Sequence, residues 1–259
     1  MNKSPRHERF REELAAGRRL VGTFLKMPTT QTVEILASIG FDFVVIDQEH
    51  APLDRAATDL MILAARAWGM APIVRVPDES RANILSVLDC GASGIMVPHI
   101  DSAAKAAEIV RACRYRDGAR GFAGVTRASG WGLSPMYDHI AAQDSRVTFI
   151  AMIEDLHAID RLDEICAVDG VDALFIGRGD LTAALGTGNA GQVGPVVEKI
   201  AAAARRHKKP LLTLAATRAE AQQMSQLGST AFLASSDHQM IRSAALGILS
   251  EFTDKPGAS

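Results

Sequence analysis

The sequence predicts a TIM (β/α)8 barrel, and three observations carry that prediction. Short β-branched or apolar runs alternate with longer segments of helical period along the whole chain. There are eight such runs, and 259 residues match the roughly 250 that one such barrel takes.

The first strand is expected at residues 20–25 (LVGTFL), followed by the helical pattern QTVEILASIG, with apolar residues three and four apart. A second strand at 43–46 leads into AATDLMILAARAWG, a third at 72–75 into RANILSVLDCGA, and a fourth at 94–97 into AAKAAEIVRACR. The fifth, at 148–153, precedes AIDRLDEICAV, and the sixth, at 173–176, is separated from the seventh by VVEKIAAAARRH. The seventh, at 210–214, leads to AEAQQMSQLG, and the eighth, at 231–234, to HQMIRSAALGILSEF. Gly40, Gly69, Gly91 and Gly228 close helices just before a strand, where a left-handed cap feeds a tight turn. An open, doubly wound sheet is the competing architecture, but the chain reads LKMPTTQT after its first strand, without a glycine-rich phosphate turn. Residues 114–135, rich in Gly and Arg, form the longest irregular stretch and read as a candidate active-site loop. The expectation is one domain over 1–259, with a frayed tail DKPGAS.

Composition removes several function classes. The 28 basic and 30 acidic residues are interspersed and leave a net charge of -2, so no basic face is offered to a nucleic-acid backbone. Apolar residues are 47% and charged residues 22%, ordinary for a soluble globular chain. No apolar run is long enough to span a bilayer and the N-terminus MNKSPRHERF is polar, so a cytoplasmic location is expected. Cys90, Cys113 and Cys166 are isolated from one another and read as buried thiols.

In a barrel, chemistry belongs where strands end and βα loops begin. Strand two delivers Asp47, Glu49 and His50; strand three delivers Arg75; strand five delivers Glu154; strand six delivers Gly177, Arg178, Gly179 and Asp180. Glu154 and Asp180 follow apolar strands, where an unneutralised charge is costly. They either hold a hard divalent cation through carboxylate oxygens or pair with arginines at the rim. His50 is either a general base, oriented by Asp47 or Glu49, or a solvated loop histidine. His99, in VPHI, is a weaker candidate of the same kind. Arg75, ending PIVRVP, is shaped to grip a carboxylate or an enolate oxygen. Asp89, in SVLDCGAS, reads from position alone as a solvated helix-end charge.

At these residues the chain resembles the HpcH/HpaI family of metal-dependent 2-oxo acid aldolases, which includes the 2-dehydro-3-deoxygalactarate aldolases. The matching segments are FDFVVIDQEHAPLD, APIVRVP, VLDCGASGIMVPHIDSAAKA, RGFAG, RASGW, MIEDLHAIDRLDEICAVDGVDALFIGRGDL and LGSTAFLASSDHQMI, in the family's order. The resemblance implies a homo-oligomer, a hexamer, and a divalent metal (Mg²⁺, Mn²⁺ or Co²⁺) held by Glu154 and Asp180. It implies pyruvate and an aldehyde as substrates, with Arg75 facing the oxyanion and His50 as acid/base. Asp89 would support His50 from a neighbouring subunit, and the amides of Gly179 and Asp180 would take the pyruvate carboxylate.

Two positions depart from the family pattern. Met152 stands where a glutamine is usual, so a hydrogen-bonding side chain facing substrate is lost, and Arg178 replaces a proline. Arg178 either meets an additional carboxylate on the substrate or points outward. The alternative within the superfamily is Claisen chemistry, as in citrate synthesis or acyl-CoA lyases. A non-enzymatic binding barrel is disfavoured because His50, Arg75, Glu154 and Asp180 are all present. A dehydrogenase is disfavoured because no dinucleotide fingerprint follows a strand.

Overall fold

A computed structural model describes residues 5–253. Eight parallel strands close in sequence order into a barrel, β1 (Leu20–Leu25) through β8 (Ser229–Ser236), with β8 pairing back onto β1. The others are β2 (Phe43–Asp47), β3 (Ala71–Arg75), β4 (Gly94–Val97), β5 (Thr148–Ile153), β6 (Ala173–Ile176) and β7 (Leu211–Leu214). The TIM-barrel prediction holds, and β1, β4, β5 and β6 begin and end where the sequence placed them. β8 is longer than expected at both ends, because Ser229 and Ser236 pair in the sheet without any hydrophobic signal.

The apolar residues divide between two sides of the sheet. Val44, Ile46, Val74, Ile95 and their like pack outward against the helices. Phe43, Val45, Ile73, Met96, Ile150, Met152 and Phe175 fill the interior. Near the strand starts Gly22 makes room for Phe43, since a Cβ there would lie 2.6 Å from that ring.

Three described helices were not anticipated, one of them the short α8 (Arg178–Leu185) that follows β6. The first, α1 (Arg6–Ala15), is mostly charged, and its two large apolar residues, Phe10 and Leu14, join the interior cluster at the strand-start end. Phe10 meets Phe43 at 5.2 Å between ring centroids and stoppers the barrel there. A second polar helix, α6 (Met136–Arg146), follows residues 114–135.

Helices α2 (Thr30–Ser38), α3 (Arg55–Ala67) and α4 (Arg81–Asp89) end as expected on Gly40, Gly69 and Gly91, all at positive φ. In each, the amide beyond the glycine reaches back five residues, as in Phe41 N to Leu36 O (3.1 Å) and Met70 N to Ala65 O (2.9 Å).

Residues 114–135 come after α5 (Ala103–Cys113), so they lie at the strand-start face, away from the barrel mouth in their own chain. Ala128 N donates there to Asp89 O at 3.2 Å. Cys113 and Cys166 are fully buried, and burial pushes their thiols up to about 12 and about 11, whereas Cys90 is only half-buried. The DKPGAS tail lies outside the described residues. Among those residues, no helix is long and apolar enough to cross a membrane.

Candidate active site

The strand-end face gathers charged side chains because β2, β3 and β5 each finish on, or one residue before, a polar residue pointing inward. Asp47 and Arg75 are register partners on β2 and β3. Both are buried, and Arg75 grips Asp47 with two parallel bonds, Nε to Oδ1 at 2.9 Å and Nη2 to Oδ2 at 2.7 Å. Lys26, following β1, adds its ammonium 3.3 Å from the same carboxylate, and the amides of Glu49 and His50 donate to Oδ1. Burial alone would raise the Asp47 pKa, but Arg75, the His50 amide and Lys26 together hold it below the ordinary range. The Arg75 guanidinium also stacks 4.8 Å from the Phe24 ring centroid, so its plane is fixed from two directions. Its remaining nitrogen, Nη1, lies 3.1 Å from Glu49 Oε2, in ion-pair contact without hydrogen-bond alignment.

Glu154 follows β5 and is 3% exposed. Its Oε1 accepts the backbone amide of His99 at 2.8 Å, a bond made possible by the positive φ of 54° at His99. The His99 ring packs alongside, with Nδ1 3.1 Å from Asp155 Oδ2. Burial raises the Glu154 pKa; His99 opposes that rise, while the charges of Glu49 and Asp180 add to it. Behind Glu154 stands Gly177, where a Cβ would lie 2.7 Å from Oε2.

Glu49, His99 and Glu154 bring one potential ligand atom each to within 4.8 Å of one another. Asp180, in the first turn of α8 (Arg178–Leu185), acts on Glu154 electrostatically but is not part of that trio. The donor set fits a divalent cation: two carboxylates and an imidazole approach one another at a partly buried point, where the charges of Glu49 and Asp180 raise the cost of ionising Glu154.

Above these groups is a cavity of about 450 Å³ lined by Phe24, Arg75, Met152, Phe175, Arg178 and Asp180, among others. Gly179 and Asp180 occupy the start of α8, where backbone amides have no intrahelical acceptor. Arg178 borders the cavity half-buried, and its guanidinium has no partner among the described residues. Met152 is 1% exposed and turned inward, an apolar floor in place of an amide.

His50 lies at the rim, its side chain 53% exposed and Nε2 3.7 Å from Glu49 Oε2. Asp89 is not brought to it. As the last residue of α4 it sits at the opposite face, 3.3 Å from the buried Arg120. Sequence reasoning did not single out Lys26 or Asp237. The signal for Lys26 was a lysine immediately after an apolar strand. Asp237 is buried and receives the amides of Lys26 and Met27, which sets the loop that presents Lys26.

The fold and this site define an enzyme barrel with a carboxylate cluster at its mouth. Residues 20–244 match the model of the HpcH/HpaI aldolase/citrate lyase family, and the chain belongs to that family. It is therefore a carbon–carbon lyase of the aldolase type. It is 34% identical over 240 residues to the 5-keto-4-deoxy-D-glucarate aldolase of Citrobacter koseri, covering 91% of this chain and 93% of that one. Among solved structures, an HpcH/HpaI aldolase/citrate lyase family protein from Burkholderia cenocepacia superposes with a TM-score of 0.88 at 29% identity, over 95% of this chain and 99% of that one. The citrate synthase SbnG superposes with 0.83 at 30% identity, over 95% and 98% respectively.

Proposed function

We propose that the chain is a divalent-metal-dependent pyruvate aldolase that cleaves or forms a 4-hydroxy-2-oxo acid, using Mg²⁺, Mn²⁺ or Co²⁺. The observation that carries this reading is the approach of Glu49, His99 and Glu154 to within 4.8 Å of one another beside a rigid Arg75, with the Asp180 charge acting on Glu154. Glu154 and Asp180 would hold the cation, with Glu49 the neighbouring carboxylate. A metal bound there supplies a Lewis acid for negative charge developing on an oxygen of the 2-oxo acid.

The protein's own groups do the rest. The free amides at Gly179 and Asp180 receive the 2-oxo acid's carboxylate. Arg75, locked by Asp47 and Phe24, meets the enolate oxygen without reorganising. In cleavage, His50 takes the proton from the C4 hydroxyl, the C3–C4 electron pair stays on C3, and the aldehyde departs. A proton delivered to C3 then gives pyruvate. Met152 contributes apolar contact only. Arg178, an unpartnered cation farther toward the mouth, selects an acceptor aldehyde that carries an anionic group.

We also propose a homo-oligomer, the hexamer the resemblance implies. Helix α11 (Asp237–Ser250) buries only Asp237 of its 14 residues, leaving Ile241, Ile248 and Leu249 more than half exposed. Val125, Trp131 and Leu133 of the 114–135 segment are also exposed, and such patches support self-association. A role for Asp89 beside His50 belongs to a contact between subunits.

The deciding experiment is metal-dependent exchange of pyruvate methyl protons in D₂O, comparing the native chain with Glu154→Ala. Exchange that needs both metal and Glu154 is expected. No exchange with any divalent metal would sink the reading. The likeness to a citrate synthase favours one second reading, condensation of acetyl-CoA with oxaloacetate, which the same preparation tests directly.

A further inference from the structure

The end of the barrel opposite Glu154 holds a cavity of about 200 Å³. It lies between the starts of α1, β4 and β5 and the C-terminal ends of α3 and α6, beside residues 127–134. Arg66, Arg127, Arg146 and His7 line it against one carboxylate, Glu8.

The three arginines and the His7 imidazole are incompletely matched. Arg66 Nη1 donates to Gly91 O at 3.0 Å, and no carboxylate forms an ion pair with Arg66 among the described residues. Arg146 reaches Glu8 only at 3.7 Å. Arg127 pairs with Asp59 at 2.7 Å through Nη2, yet its Nε is buried without a partner, as is Nδ1 of His7. Buried donors without acceptors are costly, and so are like charges held together away from water. Burial, then the charges of Arg66 and Arg146, depress the His7 pKa to about 4.

We infer that this cavity is a second binding site, separate from the catalytic mouth, for a small oxyanion of the phosphate type. One tetrahedral anion supplies acceptors to several of these donors and compensates the crowded positive charge. The cavity is smaller than the roughly 300–1,000 Å³ of pockets for drug-sized ligands, which favours an inorganic anion or a terminal phosphate group over a whole metabolite.

The test is calorimetric titration of inorganic phosphate, and of glycerol phosphate in parallel, into the full chain at fixed ionic strength. The native chain is compared with Arg66→Gln, with the more exposed Arg146→Gln in case the first fails to fold, and with Arg178→Gln at the mouth. Loss of one charge-assisted hydrogen bond should weaken phosphate binding roughly tenfold in the first two variants and leave Arg178→Gln unchanged. Binding of phosphate alone assigns a free ion; binding of both assigns a phosphate group presented on a small molecule. A second readout is the His7 imidazole followed by NMR, whose pKa should rise from about 4 toward 6.5 as phosphate saturates. Absence of binding, or binding that ignores Arg66 and Arg146 and leaves His7 unmoved, overturns the assignment.

Discussion

Gly177 and Glu154 stand so close that no side chain fits at position 177: a Cβ there would lie 2.4 Å from the Cβ of Glu154. The Gly177 backbone, at φ -81°, suits any residue, so contact with Glu154 alone excludes a side chain. Gly177→Ala should displace the carboxylate and lower metal affinity and kcat/KM by about 10–100-fold. The fold should lose only about 1–3 kcal/mol. Titration of Mn²⁺ into the variant checks this, and undiminished affinity would remove Glu154 from the ligand set.

Arg178 separates the two halves of the proposed reaction. In Arg178→Ala the KM for a hydroxy-oxo acid with a distal carboxylate should rise about tenfold or more, as expected for loss of a charged hydrogen bond. Pyruvate proton exchange should be unaffected. Exchange that slows in step with cleavage would instead place Arg178 at the pyruvate end.

Glu13 offers a stability test remote from the mouth. It is buried on α1 and surrounded by Arg6, Arg9 and Arg18. Burial alone would raise its pKa, but the bond from Arg6 and the three positive charges lower it below 4.5. A carboxyl lowered on folding contributes stability that is present above pH 4.5 and lost as pH falls through the depressed folded value. Glu13→Gln should therefore cost about 1–3 kcal/mol at pH 7. Thermal melts should show the gap closing below pH 4.5.

Assembly can be tested at α11. Replacing Ile241 and Ile248 with aspartate should shift the particle to smaller mass in light scattering, with the barrel's circular dichroism retained. A native chain that already runs as a monomer contradicts the oligomer.

The barrel could be read because its strands are short apolar runs bounded by helix-capping glycines, and both signals are local. Glu154, Arg75 and Asp180 could be read because Arg75 ends such a run, Glu154 directly follows one, and Asp180 lies in the short turn beyond Ile176. Other features depend on backbone angles and on what folds back. Nothing local marks His99 for a left-handed conformation that aims its amide at Glu154. Helix α1 is too polar for its period to announce that Phe10 and Leu14 point into the barrel. The glycines and arginines of 114–135 suggested an active-site loop, whereas its place between the helix AAKAAEIVRACR and the fifth strand assigns it to the strand-start end of its own chain.

The side chains that fill the barrel interior, with Phe10 and Leu14 closing its strand-start end, leave the cavity open only at the mouth, and that turns depth into sequence in time. Whatever occupies the floor near Arg75 and Glu154 must arrive before anything settles at Arg178, and it departs after. In the proposed cleavage the aldehyde therefore leaves first and pyruvate last. Pyruvate should compete with the hydroxy-oxo acid for the free enzyme, whereas the aldehyde should inhibit by recapturing a form that still holds pyruvate. An ordering of products would thus be set by packed side chains beneath the site that take no part in the chemistry.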